Sequence, residues 1–135
     1  MVKEGLLYGY VNAKGEYVIT PQFEEAQSFS EGLAAVKIDN KWGYIDTTGK
    51  FIITPQFQEA YYFGENQYYG MARIIKNNKW GVINKSGKFV VPAEYLGFYV
   101  SEINEWRLIK GYNESFDGVF GAPIIKEFGR NGKIY

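Results

Sequence analysis

The chain contains no cysteine and no histidine. Without cysteine there is no disulfide framework and no thiolate metal site. Without histidine, Ser-His-Asp and Cys-His nucleophile systems and His-based zinc sites are out of reach. Net charge is missing too: 15 basic and 15 acidic residues cancel to +0. The bulk attraction to nucleic acid or anionic lipid is therefore absent, and no nucleic-acid partner is expected. No apolar run approaches the ~20 residues that a spanning helix needs, so no membrane insertion is expected. The opening MVKEGLLYGYVNAKG holds too short an apolar stretch for a signal peptide. With the missing cysteine, this makes the cytoplasm the expected compartment. No phosphate-binding loop occurs, since GVFGAP (118–123) lacks the lysine and the spacing. No cofactor and no metal are expected.

What the chain does have is aromatic mass, 19% of its residues with 12 Tyr and 10 Phe, within an ordinary hydrophobic fraction of 46%. Such residues favour pleated, half-buried surfaces and point to β structure. The chain also writes one phrase three times. Gly9, Gly43 and Gly81 each follow an aromatic, at spacings of 34 and 38. Gly15, Gly49 and Gly87 repeat those spacings, and Pro21, Pro55 and Pro92 follow at 34 and 37. A fixed period of this length is the signature of a repeat architecture. The extra residues of the second unit fall where FSEG (29–32) becomes FGENQYYG (63–70).

Each unit reads as strands. LAAVKI (33–38), WGYI (42–45) and KFIIT (50–54) are short, β-branched or aromatic, and bounded by turn residues. Asp39-Asn40 and Asn77-Asn78 suit tight turns because Asn and Asp tolerate positive φ. Asn12, Asp46 and Asn84, each three residues before Gly15, Gly49 or Gly87, suit type I turns closed by a glycine bulge. The spacing thus predicts three-stranded antiparallel meanders centred on the aromatic-glycine strand. The three prolines, lacking an N–H, are expected to end the ladder. PQFEEAQSF would then cross to the next meander, with room for a short helical turn. Strand parity puts Ala34, Val36, Ile38, Gly43 and Ile45 on one face, and Leu33, Ala35, Lys37, Trp42 and Tyr44 on the other. Both faces are largely apolar, so one meander cannot bury itself and must stack on its neighbours. The predicted fold is all-β: tandem meanders in a single repeat domain, with units about 8–41, 42–79 and 80–106. A divergent C-terminal cap of about 96–135 follows, with an Asn-Gly turn at 130–133.

The segments KWGYIDTTGKFIITPQFQEAYYF and KWGVINKSGKFVVPAEY resemble the WG, or KWG, β-repeats. The first unit carries Tyr8 in place of Trp, and the resemblance covers about residues 8–95. It implies a β-rich array of a kind found mostly in bacterial proteins, with interaction or ligand binding as its role. It brings no catalytic residue.

The remaining catalytic option is a carboxylate-based hydrolase, with Glu24, Glu25, Glu59, Glu94, Asp39 and Asp46 as candidates. Asp46 matches Asn12 and Asn84, and Glu25 matches Glu59. Groups that recur in each unit read as turn caps or a solvated face, so no catalytic residue is assigned. Trp42 and Trp80 could stack on sugars, but an indole beside glycine in successive units reads as core, its N–H bonded to a neighbouring carbonyl. Asn84-Lys-Ser and Asn113-Glu-Ser match the glycosylation acceptor pattern and are discounted. Trp42, Gly43, Trp80, Gly81, the three turn glycines and the three prolines are assigned to structure. Tyr61, Tyr62, Tyr68 and Tyr69 are not explained by repetition. Aromatics around a lengthened loop suggest binding; packing over a sheet edge is the alternative. The expected function is a non-catalytic module binding a protein partner. Carbohydrate or cell-envelope binding through exposed aromatics is the second option.

Overall fold

The computed structural model describes residues 1–112 and 123–135, as four antiparallel sheets in tandem. The first holds β1 (Val2–Glu4), β2 (Leu7–Val11) and β3 (Tyr17–Phe23). The second joins β4 (Glu25–Ala26), β5 (Ala34–Ile38), β6 (Lys41–Ile45) and β7 (Phe51–Phe57). The third repeats that order with β8 (Glu59–Ala60), β9 (Met71–Lys76), β10 (Lys79–Asn84) and β11 (Phe89–Tyr95). The fourth holds β12 (Gly97–Val100), β13 (Trp106–Tyr112) and β14 (Pro123–Phe128). Among the described residues there is no α-helix, and GVFGAP and the Asn113 sequon lie essentially outside them.

The hairpins form as their turn chemistry dictates. Asp39 and Asn40 take φ of 50° and 64°, and Asn77 and Asn78 take 52° and 63°, the left-handed pair of a two-residue hairpin. At the second turn one Asp46 oxygen accepts the backbone N–H groups of Thr48 and Lys50 at 2.9 and 3.1 Å. Asn12 and Asn84 do the same in their units. The Thr48 hydroxyl bond and these N–H groups hold the exposed Asp46 carboxyl below the ordinary 3.8. A depressed folded-state pKa stabilises above the ordinary value and is lost as pH falls through the folded one. Asp46→Asn is therefore expected to flatten a small acid-side loss of stability below pH ~4, read by thermal melts against pH. An unchanged profile would remove Asp46 from that role.

The prolines do not end their strands. Trp42 pairs with Phe57 and Tyr44 with Ile53, so Gly43 alone opposes Thr54, Pro55 and Gln56. The strand runs on through Pro55 as a bulge that folds over the glycine. A Cβ on Gly43 would lie 2.6 Å from the Ile53 carbonyl oxygen and 2.7 Å from the Pro55 nitrogen. Gly9 under Pro21 and Gly81 beside Pro92 are crowded in the same way. Proline fits because a bulge has no ladder bond for it to break. The aromatic-Gly and Pro positions are thus two halves of one backbone contact. The bulge also leaves no helical turn in 21–29.

Parity sorts the side chains as expected, and the register confirms it: Ala34 faces Ile45, Ala35 faces Tyr44 and Val36 faces Gly43. Ala34, Val36 and Ile45 join Tyr10, Ile19 and Phe23 of the preceding sheet in one core. Ala35, Trp42, Tyr44 and Phe57 join Ala72, Ile74 and Ile83 of the following sheet in the next. A third core sets Val82 and Val91 against Trp106, Leu108 and Phe128. The second and third sheets bury both faces by lending one to each neighbour. In the fourth sheet, Arg107 and Glu127 face each other as Ala35 and Tyr44 do in the second. Arg107 pairs with Glu105 at 2.8 Å and lies 3.8 Å from Glu127, so charges close this outer face. Its turn at Gly129–Lys133, with Gly132 at φ 82°, repeats the earlier glycine turns.

Candidate functional site

The crossovers between sheets lie side by side and form the surface that contains the exposed tyrosines. After Phe23 the chain bonds to β5 at both ends of β4, Glu24 N–H to Lys37 O and Gln27 N–H to Ala35 O, both 2.9 Å. Phe29 then packs on Tyr10 with ring centres 4.8 Å apart, and the Tyr10 hydroxyl donates to the Gln27 carbonyl at 2.6 Å. Tyr44, Phe63 and the Tyr61 carbonyl repeat this contact one unit later. Burial pushes the Tyr10 phenol up to about 12 and raises Tyr44 beyond its ordinary 10.0 as well. Neither is a proton donor or acceptor at neutral pH; both are struts.

Side chains tie one crossover to the next. Gln27 Nε2 donates to Ala60 O at 3.0 Å, and Ser30 Oγ to Phe63 O at 2.7 Å. Glu31 accepts the Gly70 N–H at 2.7 Å. Beside this seam is a cleft of about 470 Å³, lined by Met1, Gln27, Ser28, Phe29, Ser30 and Tyr62. Its walls are mainly apolar, with Gln27, Ser28 and Ser30 supplying the polar groups.

The four tyrosines separate. Tyr62 is 46% exposed and walls the cleft; Tyr69 is 72% exposed. Tyr61 turns to the third interface, where its ring stacks on Trp80 at 5.7 Å and carries the Arg73 guanidinium at 3.7 Å. Glu65 neutralises that arginine through two bonds of 2.6 and 3.0 Å. Tyr68 is wholly buried, stacked on Trp106 at 4.0 Å. Its hydroxyl donates to Phe128 O at 2.7 Å and accepts the Trp106 N–H at 2.8 Å. The lengthened loop, with a 3-10 turn at Glu65–Gln67, thus anchors the fourth sheet to the third. Tyr68 is a core residue, unavailable to an external ligand. Sequence reasoning did not single out Phe29 and Gln27: Phe29 recurs as Phe63 and reads as crossover cover, and Gln27, which aligns with Tyr61, carries no signal of its own.

The tryptophans are placed in the interfaces, with one correction. Trp42 is 5% exposed, but its indole N–H has no hydrogen-bond partner instead of the expected carbonyl. Trp80 is half-buried in a stack with Tyr61 and Phe98. Two of the candidate acids hold the framework: Glu24 accepts the Asn40 N–H at 3.3 Å, and Glu25, which recurs as Glu59, lies 3.7 Å from Lys37. Among the described residues no group of three potential metal ligands gathers. At the hairpin tips a second cleft of about 330 Å³ is lined by Asn40, Lys41, Gln56, Gln58, Asn77 and Asn78.

A model of the WG containing repeat matches residues 8–42, 42–80 and 80–95. The chain belongs to the WG containing repeat family. Neither the curated proteins nor the solved structures provide a significant match. In these WG repeats the defining glycine is the one roofed by the proline bulge. Among the described residues no helix is long and apolar enough to cross a membrane.

Proposed function

We propose that this WG-repeat chain is a non-catalytic protein-binding module whose contact surface is the crossover edge. The observation that carries the reading is Tyr62, exposed on the wall of an apolar cleft. An apolar side chain of a partner would fit that cleft, and Tyr62 and Tyr69 supply rigid contact area at low entropic cost. The engagement of Glu24, Glu25 and Asp46 in turns and ladders supports a non-catalytic role. The balanced charge supports a protein partner over a nucleic acid.

The test is affinity capture with the wild type and a Tyr62→Ser/Tyr69→Ser variant as baits. The recovered protein is identified and its binding then measured pure. Both residues are exposed, so melting is expected to move by under ~0.5 kcal/mol, while affinity is expected to fall at least ~10-fold. Equal binding by the variant overturns the reading. A second reading, carbohydrate binding, is favoured by the amide-lined tip cleft, whose carboxamides suit sugar hydroxyls. Glycan-array binding lost in Asn40→Ala/Asn77→Ala but kept in the tyrosine variant would favour it over the first.

A further inference from the structure

Three turns converge on Arg130. They are the 3-10 turn Glu65–Gln67 of the lengthened loop, the Ser101–Asn104 turn between β12 and β13, and the Gly129–Gly132 turn after β14. Arg130 Nε donates to Asn66 O at 3.2 Å and Nη2 to Asn104 O at 3.0 Å, so one edge of the guanidinium is clamped between two loops. Its central carbon lies 5.1 Å from the ring centre of buried Tyr68, which backs it. The corresponding positions of the earlier glycine turns are Ala13, Thr47 and Lys85, so the turn itself does not call for arginine. Beside Arg130 is a cleft of about 320 Å³, lined by Asn66, Gln67, Ile103, Asn104 and Arg130. It is rich in unused donors. Among the described residues Arg130 Nη1 meets no acceptor and no carboxylate reaches the guanidinium at ion-pair distance. The Asn66 carboxamide is oriented, because its oxygen accepts the Trp106 indole N–H at 3.2 Å and its Nδ2 hydrogens are left to donate. Gln67 and Asn104 are exposed, and no acidic side chain lines the cleft.

We propose that this cleft binds a small polyhydroxylated monocarboxylate, a ligand of the uronic acid type. The free guanidinium edge, Nη1 with the outer Nη2 hydrogen, suits a planar carboxylate through two parallel N–H···O bonds. One cation matches one negative charge. A dianionic phosphate calls for a second cation, and none lines the cleft. The three carboxamides carry donors and acceptors together, which suits hydroxyl groups. The volume is at the small end of ligand pockets and suits a single sugar ring. The site shares no residue with the Tyr62 cleft or the tip cleft, and it does not rest on the protein-binding reading.

The probe is D-glucuronate, titrated into the whole isotope-labelled protein and followed by NMR. Saturable one-site binding is expected, with the largest shifts in the side-chain N–H signals of Asn66, Gln67, Asn104 and Arg130. D-glucose, which lacks the carboxylate, should bind at least ~10-fold more weakly, and inorganic phosphate no better than glucose. Asn104→Asp sets a like charge beside the ligand and leaves the carbonyl clamp on Arg130 in place. Asp tolerates the φ of 59° as Asn does, so this variant should melt like the wild type. It should lose glucuronate at least ~10-fold. Arg130→Lys keeps the charge without the fork and should lose at least ~3-fold. Its melting is read alongside, because the clamp goes with the fork, and Asn104→Asp decides the matter if it melts early. Absence of saturable shifts, equal binding of glucose or phosphate, or unchanged binding by Asn104→Asp overturns the proposal.

Discussion

Gly43→Ala should be among the most damaging single-methyl changes in the protein, costing about 3 kcal/mol. The added carbon would sit within 3 Å of three backbone atoms of Ile53, Thr54 and Pro55. Backbone on both sides cannot rotate away as a side chain would. Relief requires lifting the bulge of β7 off β6, and that strains the Trp42–Phe57 and Tyr44–Ile53 pairs that flank it. Phe57 and Tyr44 are both fully buried, so displacing them opens the interface with the third sheet. The melting midpoint should drop by roughly 10 °C. Gly111→Ala is the control: it lies in β13, and a Cβ there meets nothing within 4 Å. A Gly43→Ala protein that melts like the control would show that the bulge does not need the glycine.

Tyr68→Ser should cost about 4 kcal/mol, in the range of large aromatic truncations in cores. Tyr69→Ser, the next residue, should change stability by under ~0.5 kcal/mol. The contrast follows from placement alone, since Tyr68 is wholly buried and Tyr69 is 72% exposed. Tyr68→Phe separates the two roles of the side chain. It keeps the stack on Trp106 but leaves the Trp106 N–H and Phe128 carbonyl without their partner. That should cost about 1–3 kcal/mol, the penalty of orphaned buried groups. Thermal or urea unfolding of the three variants checks the series. Near-equal midpoints for Tyr68→Ser and Tyr69→Ser would refute the anchoring role of the loop.

These two residues also show where sequence reading stops. The glycine was legible as a fixed position, but its reason was not. Proline read locally says that a ladder bond is missing, and ending the strand satisfies that as well as bulging it. Only the pairing of Tyr44 with Ile53 and of Trp42 with Phe57 shows the strand continuing past Pro55. Tyr68 was legible as unusual, because repetition did not account for it. Its partner Phe128 lies 60 residues away, and no local period encodes a contact of that span. Tyr62 was singled out on the same grounds as Tyr68, and the structure turned one outward and the other inward. Within an irregular loop, parity offers no rule for telling them apart.

The period of the phrase, the turns at Asn40, Asn78, Gly15, Gly49 and Gly87, and the sharing of faces along each strand were determined by the sequence by itself. These follow from φ preferences and from the two-residue alternation of a pleated chain, which act over a few neighbours. Tertiary structure alone decided which face met which sheet, how a bulge roofs a glycine, and that an arginine and a glutamate would close the last face. Those depend on what a distant segment brings into contact, and burial is settled only when both surfaces are present.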